Sequence, residues 1–436
     1  MPVHEIRRAY KRPAISDQQK RRELSLLRQQ QQRLDAQSHA RRLASTLFSL
    51  TATTATNSEE PGIDIEIDTE IASSKEFEIE EDLEEEEDGG DSKNVEIRDV
   101  RQASRLGGQD ARRWFARQLM LPEWMIDVPD RLSQDWYVLA RPAGKRCFVV
   151  SINGTTVSRL RNGSVLHLFP SGLPCGARTR ENSGSPQSYC ILDCIFHETD
   201  QTYYVIDMVC WKGYSLYDCN AEFRFFWLNS KLTECGACEP PSHYHKYKFS
   251  PVPVYNCDQA GLLSAYTGQV SYVKDGLLFY NKHALYQAGN TPLTLVWKDE
   301  KCSQYVIDTD NKGQVPNKQQ VVLELQNDGK LTTSDDPHVV FGSVDQDFVQ
   351  KLGLHPGNLL RFAINDGGLI FIDGKLEKAD LVYQDKPNRG RAFADSYSKV
   401  VFQYMARRSP LSIDDLVASI NSSAEEDKAS DVDMAC

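Results

Sequence analysis

No run of this 436-residue chain approaches the roughly 18 apolar residues of a membrane helix, so no membrane contact is expected. The first residues, MPVHEIRRAYKRP, lack an apolar core, so no secretory signal is expected either. Neither a P-loop nor a dinucleotide-binding glycine fingerprint is present, which argues against the common nucleotide cofactors; no cofactor is expected. The eleven cysteines run from Cys147 to Cys436 with no regular framework. Without an export signal they read as reduced thiols of the cytosol or nucleus. Cys235 and Cys238, followed by His243 and His245, offer enough ligands for zinc, but the spacing fits no ordinary finger and the run borders Pro240-Pro241. A loop with incidental cysteines is the stronger reading, and no metal is expected. Asn153-Gly-Thr and Asn162-Gly-Ser are glycosylation sequons in form only.

What the chain has instead is segregated charge. The formal net charge is −12, yet residues 1–58 carry +7, residues 59–99 carry −16 and the last thirteen carry −4, leaving +1 for 100–423. The segment IDIEIDTEIASSKEFEIEEDLEEEEDGGD repels itself and resists compaction, and its isoleucine/glutamate alternation is a weak strand signal with one face entirely acidic. The composition predicts a basic arm at 1–58 with a helix over about 17–43, an acidic disordered linker at 59–105, a body at 106–300, a β-rich extension at 301–423 and an acidic disordered tail at 424–436.

The arm is rich in helix formers and has no Gly or Pro from Lys20 to Leu43. Ser16 and Gln19 make a candidate capping box, with Asp17 a rival cap. Leu24, Leu27 and Leu34 form a stripe too thin for a globular core, surrounded by Arg21, Arg22, Arg28, Arg33, Arg41 and Arg42. Such a helix gains order on an acidic partner or on nucleic acid, and composition alone favours neither.

The body predicts an α+β fold of mixed and antiparallel sheets with flanking helices, a long N-terminal helix and a small C-terminal β domain. Arg112 to Asp127 predicts a short helix broken at Pro122. Trp136–Arg141 and Lys145–Ile152 around Pro142-Ala143-Gly144 read as a hairpin, and the runs flanking Thr199-Asp200 as another. Asp218 to Lys231 predicts a helix with Phe223, Phe226 and Trp227 inward. GLLFYN and PLTLVWK predict strands, as do VVLEL, HVVFGSV, NLLRFAI, GLIFIDG and KVVFQYMA, with DQDFVQKLGL and 409–422 as helices. Asp366-Gly367-Gly368 predicts a turn, and 318–408 a small barrel or sandwich.

Lys145 and Arg146, just after the Pro-Ala-Gly turn, and Arg161 beside Asn162-Gly163 have the chemistry to hold phosphate, although a solvated hairpin end is the simpler reading of each. Trp297, at the end of an apolar run, and Trp124, beside Pro122, read as core packing or as platforms for a nucleobase.

Three passages make the chain resemble the snurportins, import adaptors for spliceosomal ribonucleoproteins. They are KRRELSLLRQQQQRLDAQSHARRLA; RQLMLPEWMIDVP followed by PAGKR; and the long run from ILDCIFHETDQTYYVIDMVCWKG through YDCNAEFRFFWLNSKL to DGLLFYNK and TPLTLVW. The resemblance covers residues 16–43 and about 112–297. It implies a body, similar in fold to the nucleotide-binding domain of RNA capping enzymes and ligases, that binds the 2,2,7-trimethylguanosine cap of spliceosomal small nuclear RNA. It also implies an N-terminal helix that binds importin-β through Lys20, Arg21, Arg22, Arg28, Arg33, Arg41 and Arg42, and shuttling between nucleus and cytoplasm. Trp297 then matches the stacking tryptophan, after a one-residue shift because PLTLVW is longer here. Trp124, with Leu121 near it, matches the tryptophan bordering the methylated base. Arg146 matches an arginine after the turn, Lys145 its neighbour, and Arg161 a lysine near the phosphates. Pro122 stands for a serine and Arg141 for a cysteine. The family's hydrophobic segment for an exportin has no counterpart in MPVHEIRRAYKRP. The covalent Lys-x-Asp-Gly motif of the enzymes is missing at both Lys145 and Lys274, so the resemblance implies a binding protein rather than an enzyme. The alternatives are a capping-enzyme or ligase-like nucleotidyltransferase, and a plain importin-β ligand whose body binds another protein. The region after 300 reads, by position, as a relic of those enzymes' oligonucleotide-binding barrel.

Overall fold

The computed structural model describes residues 17–31, 118–178, 189–243, 245–310, 312–372, 375–387 and 391–422. The expected acidic linker and tail, and Arg33, Arg41 and Arg42, lie outside the described residues. Of the long N-terminal helix, α1 (Asp17–Gln31) is described.

Two sheets stack face to face. The first has strand order β1-β12-β11-β2-β10, built from β1 (Met120–Trp124), β2 (Trp136–Pro142), β10 (Val254–Asn256), β11 (Lys274–Asn281) and β12 (Gly289–Trp297). Its pairs are antiparallel except β1 with β12. The second has the order β5-β4-β3-β6-β7-β8, with β3 (Lys145–Ile152), β4 (Thr155–Leu160), β5 (Val165–Phe169), β6 (Tyr189–His197), β7 (Thr202–Trp211) and β8 (Tyr214–Ser215), and β9 (Lys248–Pro251) alongside β7. Every residue of β6 and β7 is buried, because this sheet is covered on both faces. That is why their sequences are continuous apolar runs rather than alternating ones.

Phe148, Val150, Ile191 and Ile206 of one sheet meet Met120, Leu278, Tyr280 and Val296 of the other in the inter-sheet core. A one-turn helix, α2 (Leu132–Asp135), leads into β2. α3 (Ala221–Glu234) covers the outer face of the second sheet, and α4 (Gln259–Thr267) that of the first. Asn220 caps α3, its side chain accepting from the Phe223 amide at 3.0 Å.

The C-terminal unit is a five-stranded antiparallel sheet with the order β15-β14-β13-β16-β17, from β13 (Gln320–Leu325), β14 (Lys330–Thr332), β15 (Val340–Ser343), β16 (Leu359–Ile372) and β17 (Lys375–Asp385). α5 (Gln346–Lys351) connects its third and fourth strands. Its edges β15 and β17 lie against one another, so the sheet curls into a partly open barrel. α6 (Tyr397–Ala406) plugs it with Tyr397, Val400, Val401, Tyr404 and Met405.

Five expectations are corrected here. Residues 120–124 are a strand, since β12 offers a partner for an edge segment in which Pro122 lacks a donor. β2 and β3 are not a hairpin; they enter different sheets, and the chain crosses at Gly144, where a Cβ would meet the Phe196 carbonyl oxygen at 2.2 Å. α3 is rotated from the expected face: Phe223 and Phe226 are exposed, while Arg224, Phe225 and Leu228 point inward. Asp366-Gly367-Gly368 is a register break within a continuous β16 rather than a turn. KVVFQYMA is helical in α6, because its apolar residues serve the barrel on one side and the first sheet on the other. Residues 413–422 are helical, inside the segment expected to be so.

Candidate functional site

β1 is the edge strand from which the candidate site is built. Trp124 is half-buried at its end; its ring centroid lies 5.0 Å from that of Phe402 on α6, and its amide donates to Ser398 Oγ at 3.0 Å. Lys298 places its ammonium 5.5 Å from the Trp124 ring centroid, a cation–π geometry. Leu121 and Pro122 are half-buried on the same strand.

Behind Trp124 the carboxylates are already satisfied. Asp275 is paired with Arg141, with Lys298 Nζ at 2.5 Å, and accepts from Ser303 Oγ at 2.7 Å. Burial pushes the Asp275 pKa up, but Arg141 and Lys298 more than reverse this and hold it below the usual carboxylate value. Arg146 grips the fully buried Asp193 with two nitrogens, at 3.1 and 2.7 Å, and donates to the Met120 carbonyl at 2.5 Å. Burial favours loss of its proton, but Asp193 outweighs that and keeps the guanidinium charged. Arg146 therefore ties β3 to the start of β1.

Arg161 is different. It lies in the turn after β4 with its guanidinium 5.0 Å from the Phe393 ring centroid, and among the described residues no carboxylate is within ion-pair distance of it. Desolvation first, and then Arg146 and Arg391, lower its pKa against the opposing charge of Asp395. A guanidinium without a direct carboxylate partner has the chemistry to hold a phosphate group.

Two expected site residues fall elsewhere. Trp297 is fully buried among Trp136, Phe279 and Leu416, and its indole nitrogen donates to the Leu411 carbonyl at 3.0 Å. Neighbouring residues of a strand point to opposite faces, so the longer PLTLVW run turns Val296 toward the inter-sheet core and Trp297 to the outer face. Lys145 likewise points away from Arg146 and pairs with Glu198 at 2.7 Å. The structure therefore groups Trp124 and Leu121 on β1 with Lys298, Asp275 and Arg141, ties Arg146 to the same strand, and sets Arg161 against Phe393. Nothing local in the sequence gave Asp275 its partners Arg141 and Lys298.

The other lysine weighed as a nucleophile, Lys274, gives its ammonium to the carbonyls of Ala265, Tyr266 and Gly268 at 3.0, 2.8 and 2.7 Å, closing the end of α4. Cys235 and Cys238 direct their thiols to the Leu232 carbonyl, and His245 Nδ1 accepts from the Gly172 amide at 2.8 Å.

α1 lies on the same edge of the first sheet. Arg21 holds the buried Glu123 with two bonds of 2.6 and 2.9 Å, and Gln18 Nε2 donates to that carboxylate and to the Trp124 carbonyl, each at 3.0 Å. Arg22 is buried, 5.8 Å from the Trp136 ring centroid, and Gln29 accepts from the Leu285 amide at 3.1 Å. Lys20 and Arg28 remain exposed, and Leu24 and Leu27 face solvent.

Residues 118–298 match a family model described as the Snurportin1 m3G cap-binding domain. Solved structures with similarity include a mycobacterial DNA ligase D complexed with ATP and MES, 11% identical, covering 61% of this chain and 94% of that chain at a TM-score of 0.29. The ATP-dependent DNA ligase of bacteriophage T7 in complex with ATP is 10% identical, covering 62% and 99% at a TM-score of 0.30. Superposition this loose transfers no site.

Proposed function

With residues 118–298 a snurportin-type m3G cap-binding domain, we propose that the protein is a nuclear import adaptor. In this reading the body holds the trimethylguanosine cap of a spliceosomal small nuclear RNA, and the basic helix hands it to importin-β. The observation that carries the cap reading is Trp124, half-buried with a cation already over its ring. Methylation at N7 makes the guanine cationic, so it exchanges for the Lys298 ammonium over the same face. The two N2 methyl groups remove both donors at that edge, and Leu121 and Pro122 offer an apolar border. A 7-methylguanosine cap would leave its donors unmatched there. Arg161 supplies charge for the cap phosphates, with Arg146 bracing β1.

Trp124→Ala is expected to weaken binding of a trimethylated cap dinucleotide by about 1–3 kcal/mol, on the order of tenfold to a hundredfold, read by fluorescence titration. Unchanged affinity would remove Trp124 from the site.

The α1 contacts bear on the importin-β half of the proposal. Arg21 and Arg22, two of its expected importin-β contacts, are engaged by the body, so the helix must undock to bind the receptor. Glu123→Ala removes the carboxylate that anchors Arg21 and is expected to tighten importin-β binding by the full chain severalfold, measured by surface plasmon resonance. Equal affinity for the two proteins would show that docking does not compete.

The adaptor role is tested by a pull-down on immobilised importin-β: trimethyl-capped RNA is expected in the bound fraction when this protein is added. Capture that ignores the cap would favour a plain importin-β ligand. Nucleus–cytoplasm shuttling and recycling by an exportin belong to the same proposal. The nucleotidyltransferase alternative expects a covalent adduct with labelled GTP or ATP and magnesium. The placement of Lys274 and Lys145 supports the opposite outcome.

A further inference from the structure

We propose that a cleft in the C-terminal unit, between the barrel sheet and α6 with the residues that follow the cap-binding body, holds the ribose–phosphate chain of the RNA immediately beyond the cap. The cleft has a volume of about 680 Å³, within the ordinary range of about 300–1,000 Å³ for ligand sites. β13 and β16 form one wall, α6 and the stretch 305–316 the other. Lys312, Arg361, Arg391, Lys399 and Arg407 line it, against Asp308, Asp310 and Asp395.

Lys399 and Arg391 are balanced by Asp308 and Asp395, which leaves Lys312, Arg361 and Arg407 against Asp310 to give the cleft its positive character. Lys399 bridges Asp308 and Asp395 at 2.6 and 2.9 Å, Arg391 shares Asp395 at 2.6 Å, and Arg407 donates to the Pro316 carbonyl at 2.9 Å. Lys312 is exposed at the rim, and Arg361 makes only a 3.4 Å contact to Asp385. Tyr305 adds an aromatic ring, 60% exposed, on the same cleft. A groove of cations with an open aromatic ring is the arrangement that tracks single-stranded nucleic acid by charge and stacking.

Two contacts join this cleft to the cap site. Lys298, over Trp124, also donates to the Tyr305 carbonyl at 3.4 Å. Arg161 rests on Phe393, two residues from Arg391. A chain leaving the cap phosphates at Arg161 therefore meets the cleft next. The usual oligonucleotide face of a five-stranded barrel, its second and third strands, is not used; the walls here are its first and fourth.

This inference rests on the cap reading, and the test separates the two. Full-length protein is titrated with a trimethylated cap dinucleotide, with the same cap on an RNA of about ten nucleotides, and with the uncapped RNA. The capped RNA is expected to bind on the order of tenfold more tightly than the dinucleotide, with the gain shrinking as salt rises. Lys312→Glu combined with Arg361→Glu is expected to abolish that gain and leave dinucleotide affinity unchanged. Tyr305→Ala, an exposed position, is expected to reduce the gain and serves if the double variant fails to fold. Dinucleotide binding with no gain from chain length would overturn the cleft proposal alone. Loss of specific binding to both capped ligands would overturn the cap reading and this inference with it. Equal displacement by polyglutamate, with no length gain from RNA, would assign the cleft to an acidic peptide and overturn the proposal.

Discussion

Trp297→Ala is expected to cost about 3–5 kcal/mol of folding stability while leaving cap affinity per folded molecule unchanged. The side chain has no solvent exposure and sits where α4, β11 and the C-terminal segment converge. The ring of Tyr266 lies 6.0 Å from it, and the Leu411 carbonyl accepts its indole proton. Alanine would leave a cavity and an orphaned carbonyl together. Urea unfolding reads the first quantity, and cap titration at low temperature, corrected for the folded fraction, reads the second. A stable variant that had lost cap binding would mean that β12 runs one residue out of the register described, with Trp297 on the ligand face.

The second large effect lies in the inter-sheet core. Asp207→Ala is expected to destabilise the protein by about 3–5 kcal/mol, because it strands a buried guanidinium. Arg224 meets Asp207 through two bonds of 2.9 Å and donates to the Cys219 and Ala284 carbonyls at 2.7 and 2.9 Å, with neither side chain of the pair exposed. The pair fastens α3 to β7 and to the segment after β11. It neighbours Tyr286, whose hydroxyl donates to Asp193 at 2.8 Å, so its loss also loosens the Arg146 anchor. Replacing both partners with apolar residues, Asp207→Leu with Arg224→Met, is expected to recover most of the loss. Equal unfolding midpoints for the single variant and the parent would show that water reaches the guanidinium.

The contrast between α3 and β6–β7 shows where the sequence was informative. The two strands are apolar throughout, and that is how a sheet covered on both faces reads. The helix was legible in extent but not in rotation. Its inward face carries Arg224, a charge that burial tolerates only because Asp207, seventeen residues earlier, waits for it. No local pattern announces such a partner. Asn153-Gly154, weighed only as a sequon, was a missed turn signal: both residues have positive φ, 50° and 80°, and they join β3 to β4. The Pro-Ala-Gly turn had the composition of a hairpin but carries the chain between sheets, a distinction set by which strand is already paired.

At the candidate site, residue type and neighbours were enough to single out Trp124 and Arg161 as candidates. The face of Trp297 was not legible, since one extra residue in a strand reverses every side chain after it. The cleft beside the barrel was also hidden, because it joins residues more than ninety positions apart, such as Asp308 and Gln403. The near-neutral charge of 100–423 gave no sign of it either, because charge summed over 324 residues conceals a local cluster of cations.

The central claim is that the body selects a trimethylated cap, and one measurement tests it most directly: parallel titrations of the full chain with 2,2,7-trimethylguanosine and 7-methylguanosine cap dinucleotides under one buffer. Clearly tighter binding of the trimethylated cap is expected, because only that ligand presents no N2 donors to the apolar border proposed at Leu121 and Pro122. Equal affinities, or a preference for the 7-methyl cap, would contradict it.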